Sequence, residues 1–144
     1  MKKLIILIVV VFISCVSFAQ FSKAKLQASG LTCSMCSKAV KVALEKVPFV
    51  QEVKVDIKSQ EYAITFKEGS NVEFDDLKKA VEDAGFSVAS LKVTANFNDV
   101  KVEKDKHIQI GGKNFHFLDG ADQSLNGERT LTIVDKNFVS AKEF

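Results

Sequence analysis

The stretch from Lys23 to Val47, KAKLQASGLTCSMCSKAVKVALEKV, changes its hydrophobic period once, and that change decides the fold. Ala24, Leu26 and Ala28 alternate with Lys25 and Gln27, the period of a strand with one buried face, and Ser29-Gly30 ends it. Val40, Ala43, Leu44 and Val47 then fall at i, i+3, i+4 and i+7, while Lys38, Lys41, Glu45 and Lys46 take other faces. This predicts an amphipathic helix closed by Pro48. Cys33 and Cys36 lie where the strand hands over to the helix.

Working outward, Val53, Val55 and Ile57 alternate with Glu52, Lys54, Asp56 and Lys58, and after a Ser59-Gln60 turn Tyr62, Ile64 and Phe66 do the same. Together they predict a hairpin. Glu68-Gly69-Ser70-Asn71 breaks the chain before Leu77, Ala80, Val81 and Ala84 repeat the helical spacing. Asp75 and Asp76 suit the positive start of that helix and Gly85 its C-terminal cap. A fourth strand is predicted over Phe86 to Thr94; Phe86 and Val88 are out of phase with Leu91 and Val93, which requires a bulge or a late start. The order β-α-β-β-α-β over Lys23 to Thr94 predicts an α+β, ferredoxin-like sandwich, with two helices over one face of a four-stranded antiparallel sheet.

Residues 95–144 show no helical pattern but several short alternations: Val100 and Val102, Ile108 and Ile110, Phe115 and Phe117, Leu131 and Ile133. Gly111-Gly112, Asp119-Gly120 and Asn126-Gly127 read as the turns between them. The expectation is a small all-β appendage. About 50 residues lie near the lower limit for independent stability, so it should pack on the first domain or belong to something larger.

Met1-Lys2-Lys3 followed by an apolar run from Leu4 to Ile13, with Ser17-Phe18-Ala19 before Gln20, has the pattern of a signal peptide over residues 1–19 cleaved near Ala19. Ser14, Ser17 and Gln20 interrupt the run short of the roughly 20 apolar residues a membrane span requires. Lipid modification at Cys15 is the competing signal; Phe12 and the apolar residues after Cys15 fit it poorly. The expected location is therefore periplasmic or secreted. Cleavage leaves 18 basic against 18 acidic residues, which excludes the electrostatic footprint of a nucleic-acid binder. It also leaves two cysteines, Cys33 and Cys36, too few for a disulfide framework and closely spaced enough for a site.

Residues three apart at a helix start share one side, so both sulfurs can reach one atom. The first-turn N–H groups and the helix dipole favour thiolate over thiol there. A pair of thiolates is a soft, low-coordinate donor set suited to Cu(I) rather than to Mg or Ca. The same strand, Cys-x-x-Cys, helix order also serves thiol-disulfide exchange, although the single proline, Pro48, closes the first helix and no tryptophan is present. Met35 reads as an exposed spacer, His107 and His116 as surface residues that could at most add a second metal site, and Lys38, Lys41 and Lys46 as a solvated helix face. No catalytic base, nucleophile pair or cofactor loop is evident, so the chain reads as non-enzymatic.

Gly30-Leu31-Thr32-Cys33-Ser34-Met35-Cys36 resembles the Gly-Met-Thr-Cys-x-x-Cys loop of the heavy-metal-associated domain, and Asp83-Ala84-Gly85-Phe86 resembles the ending of that family's second helix. The resemblance covers Lys23 to Thr94. The family includes copper chaperones, metal-binding modules of copper-transporting ATPases and the periplasmic mercury-binding protein. The resemblance implies that Cys33 and Cys36 are the metal ligands, that Phe86 lies near the loop, and that Leu31 packs beneath it where the family usually has Met. Zinc-type members tend to carry Asp before the first Cys; Thr32 stands there here, so the implied order is Cu(I), then Hg(II), then Zn(II). The implied partner is a metal-transporting membrane protein or another Cys- or Met-bearing metal carrier.

Overall fold

The computed structural model describes residues 20–102, 107–118, 123–135 and Phe138. The expected signal peptide over 1–19, Cys15 and the Asp119-Gly120 turn lie outside the described residues. In chain order the elements are β1 (Gln20–Ser29), α1 (Ser34–Glu45), β2 (Val50–Asp56), β3 (Glu61–Phe66), α2 (Phe74–Asp83), β4 (Ser87–Val102), β5 (His107–Ile110), β6 (Lys113–His116) and β7 (Gln123–Ile133). No helix among them is long and apolar enough to cross a membrane.

β1 is central. It pairs antiparallel with β3 (Lys25 opposite Ala63) and with β4 (Lys25 opposite Lys92), while β2 flanks β3 (Val53 opposite Ile64). The order β2-β3-β1-β4, with its helices, is the predicted ferredoxin-like sandwich. Alternation places Ala24, Leu26, Ala28, Val53, Tyr62, Ile64, Phe66, Leu91 and Val93 in the core. α1 meets them with Ser37, Val40 and Leu44, and α2 with Phe74, Leu77 and Val81. α2 has no side-chain N-cap, but Asp75 and Asp76 offset its exposed N–H groups in the first turn. It ends as Gly85 predicts: at φ 89° the chain turns so that Gly85 N donates to Glu82 O and Phe86 N to Val81 O, which satisfies two terminal carbonyls. The phase change in β4 is a bulge between the Gln27–Ser90 and Ala28–Val88 pairs.

The expected boundary between Thr94 and Ala95 falls inside a strand. β4 runs on to Val102, burying Ala95, Phe97 and Val102, and β7 pairs along it from Leu91 opposite Ile133 to Val102 opposite Gln123. The sheet thus has five strands in the order β2-β3-β1-β4-β7. Asn126-Gly127, expected as a turn, instead lies within β7 opposite a bulge where Asp99 has φ 50° and accepts a 2.6 Å hydrogen bond from Ser124 Oγ. Gly111-Gly112 does form a turn, joining β5 to β6 as a separate two-stranded sheet. Its buried side joins the main core: Phe115 meets Phe21 and Phe74 edge-on at 5.7 and 6.3 Å, and Lys113 pairs with Glu73 beside α2. Val102, Ile110, Leu125 and Phe138 belong to the same buried cluster as Leu26 and Leu44.

Candidate metal centre

Gly30 follows β1, and its neighbour across the loop is the Phe86 ring; a Cβ on Gly30 would lie 3.9 Å from Phe86 Cδ1. Leu31 follows, buried beneath the loop, and Thr32 and Cys33 emerge at the surface. Cys33 is the N-cap of α1: its backbone is extended, and its Sγ accepts a hydrogen bond of 3.2 Å from Cys36 N. Cys36, in the first helical turn, is half-buried and packs against the core. The two cysteines are joined as a disulfide with their Cα atoms 5.2 Å apart, so both side chains reach a common point. Met35 is 72% exposed between them. Among the described residues no group of three or more His, Cys, Asp or Glu side chains comes together. Reduction of the disulfide would therefore leave two sulfurs, one at the surface and one half-covered, with no third donor of those types gathered around them.

The loop is held from below by residues with no motif to mark them. Gln60, in the β2–β3 turn with φ 56°, donates from Nε2 to Leu31 O at 2.9 Å, and its own carbonyl accepts from Ala28 N. Tyr62, fully buried, donates to Ser37 O at 3.3 Å, and burial pushes its phenol above the ordinary value. Ser37, only 3% exposed, donates its backbone N–H to Cys33 O. The helix start is thus tied to both the turn and the core, which fixes the direction of the two sulfurs.

The family model of the heavy-metal-associated domain matches residues 25–87. The chain is also 34% identical over 86 residues to the mercuric transport protein periplasmic component of Serratia marcescens, a match that spans 60% of this chain and 93% of that protein. The chain belongs to the heavy-metal-associated domain family. Over 60 residues it is 33% identical to a probable copper-exporting P-type ATPase of Archaeoglobus fulgidus; the match spans 42% of this chain and only 7% of the ATPase. Oxidized MerP from Ralstonia metallidurans CH34 is 32% identical with a TM-score of 0.44, over 48% of this chain and 94% of that one. The heavy-metal-associated match ends at Ser87, so most of β4 and all of β5 to β7 lie beyond it.

In this heavy-metal-associated domain Phe86 and Leu31 sit against the loop as the motif implies. Lys38 and Lys46 are exposed, and Lys41 makes an i, i+4 ion pair with Glu45 at 3.4 Å, as a solvated helix face does. His107 and His116, apart in the sequence, are brought directly opposite each other on the β5–β6 hairpin, with their rings tilted.

Proposed function

We propose that the protein is exported, holds one Cu(I) ion between the thiolates of Cys33 and Cys36, and passes it to an acceptor by ligand exchange. The observation that carries this reading is the convergence of both sulfurs at the surface end of a strand-loop-helix. The disulfide form has no thiolate, so a two-electron reduction by two thiols, which leave joined as a disulfide, precedes loading. Two thiolates suit a soft ion and leave it under-coordinated. An entering thiolate or thioether forms a third bond to copper; a bond to Cys33 or Cys36 then breaks, and the second follows as the ion leaves. The exposed sulfur, Cys33, is the first to be displaced. No proton has to be moved by a catalytic base, so the protein acts as a carrier and not as an enzyme. The acceptor is a metal-transporting membrane protein or another carrier with Cys or Met donors.

The periplasmic mercuric transport component, matched over nearly its whole length, favours Hg(II) as the second reading. Zn(II), which prefers four ligands, ranks behind both at a two-donor site.

The deciding experiment is an anaerobic Cu(I) titration of the reduced protein against a competing chelator, beside the Cys33→Ser, Cys36→Ser double variant. One ion per chain, lost in the double variant, supports the reading, and Hg(II) competition on the loaded protein then ranks the two metals. No binding above the double variant overturns it and makes the reduction potential of the Cys33–Cys36 disulfide the property to measure. Export is tested separately by sequencing the N-terminus of the protein recovered from cells: a start at Gln20 is expected, and an intact Met1 would refute it.

A further inference from the structure

The β5–β6 hairpin carries chemistry that the cysteine loop does not use. His107 and His116 are directly opposed across the two strands, both exposed, with ring centres 5.3 Å apart and planes inclined at 50°. Gln109 and Asn114, the next opposed pair with the same exposure, continue that outer face. The inner face is anchored: Ile110 is fully buried, Phe115 packs on Phe21 and Phe74, and Lys113 is paired with Glu73. The two imidazoles are therefore displayed on a fixed backbone, and little ordering entropy remains to be lost when they converge on one atom.

We propose that His107 and His116 form a second metal site, a bis-imidazole chelate for Cu(II) completed by water. A coordinated imidazole with its nitrogen ~2.0–2.1 Å from the ion has its ring centre about 3.2 Å away, so two rings at 90–110° have centres about 4.5–5.2 Å apart. The observed centre separation of 5.3 Å lies just outside that range, and chelation further requires each ring to turn one nitrogen toward the ion. Imidazole nitrogen is a borderline donor, and Cu(II) binds such donors more tightly than the other first-row divalent ions. The site thus complements the thiolate pair in the oxidation state of copper it takes. The two do not share an ion: Phe21, beneath the hairpin, and Gly30, before the cysteines, are at opposite ends of β1, roughly 30 Å apart at ~3.3 Å per residue.

The test uses the full chain carrying Cys33→Ser and Cys36→Ser, which silences the thiolate site, titrated aerobically with Cu(II) and followed by electron paramagnetic resonance. One Cu(II) per chain with hyperfine coupling to two imidazole nitrogens is expected. His107→Gln and His116→Gln should each remove one nitrogen and weaken binding by at least about tenfold, more than ~1.4 kcal/mol. Circular dichroism should stay unchanged, and Zn(II) should be displaced by Cu(II). Unchanged affinity and spectrum in either single variant would overturn the chelate. As an independent arm, Cu(I) affinity of the reduced, cysteine-intact protein should not respond to His107→Gln; a parallel loss would mean that the two sites are one.

Discussion

Cys33 would serve the helix and the chemistry together, because the sulfur proposed to bind metal also caps α1. Serine is a good N-cap. Cys33→Ser in the reduced protein should therefore unfold in urea within about 0.5 kcal/mol of the parent while losing Cu(I), since surface substitutions that keep a cap cost little. A loss of several kcal/mol would show that the loop depends on the sulfur itself for its shape. Tyr62 makes the opposite case. Its ring is core, but its hydroxyl supports Ser37 behind the cysteine pair, so Tyr62→Phe should cost about 0.5–1.5 kcal/mol in the same assay. The pairing of Cys33 with Cys36 could be read from spacing because its geometry is local to one turn. Gln60 and Tyr62 could not, because Tyr62 fills an ordinary strand position and its bond to Ser37 spans 25 residues. Only the docking of α1 on β3 brings that donor and acceptor together.

At the level of elements, two glycines with the same backbone demand differ in their surroundings. Gly85 ends α2 at φ 89° with open space where a Cβ would go, whereas Gly111, at φ 56° in the β5–β6 turn, would place a Cβ 3.1 Å from the Phe21 ring. Gly85→Ala should cost about 1 kcal/mol from backbone strain alone. Gly111→Ala should cost clearly more, because Phe21 is held by Phe74 and Phe115 and cannot yield; thermal melts that rank the two the other way would contradict this packing. Hydrophobic period was a sound guide to most of β1 through α2, where each element buries one face in a shared core, but it failed at Ile57, which lies past the end of β2 and is exposed. It stopped short at β4. The alternation of Val93, Ala95 and Phe97 continues past Thr94, but a strand of that length needs a partner beyond the end of β1, and β7 arrives only after the hairpin. Asn126-Gly127 has the residues of a turn because the bulge it faces, like a turn, demands unusual backbone angles.

Across the whole molecule, the tail is a structural part of the sheet. A chain cut after Val102 would strip β4 of β7 and the core of Ile110, Leu125 and Phe138. It should melt well below the full chain and self-associate through the bared β4 edge, as sedimentation would show. The Glu73–Lys113 pair joins α2 to the hairpin, and its hydrogen bond holds the Glu73 carboxyl below the ordinary value of 4.5. A carboxyl lowered by folding stabilises the native state above its unfolded value and ceases to do so as pH falls through the folded one. Stability should thus decline from about pH 5 downward, and Glu73→Gln should flatten that decline. An identical pH profile in the variant would assign the acid sensitivity to other carboxyls.

β1 holds the cysteine loop and the hairpin apart. Its Ser29 end leads into the loop that fixes two sulfurs; its Gln20 end meets the hairpin and the aromatic cluster of Phe21, Phe74 and Phe115. Substitutions at the far end should alter cohesion and solubility while leaving the placement of the two sulfurs unchanged. That insulation would let the hairpin end be altered without changing which ion the cysteine loop prefers.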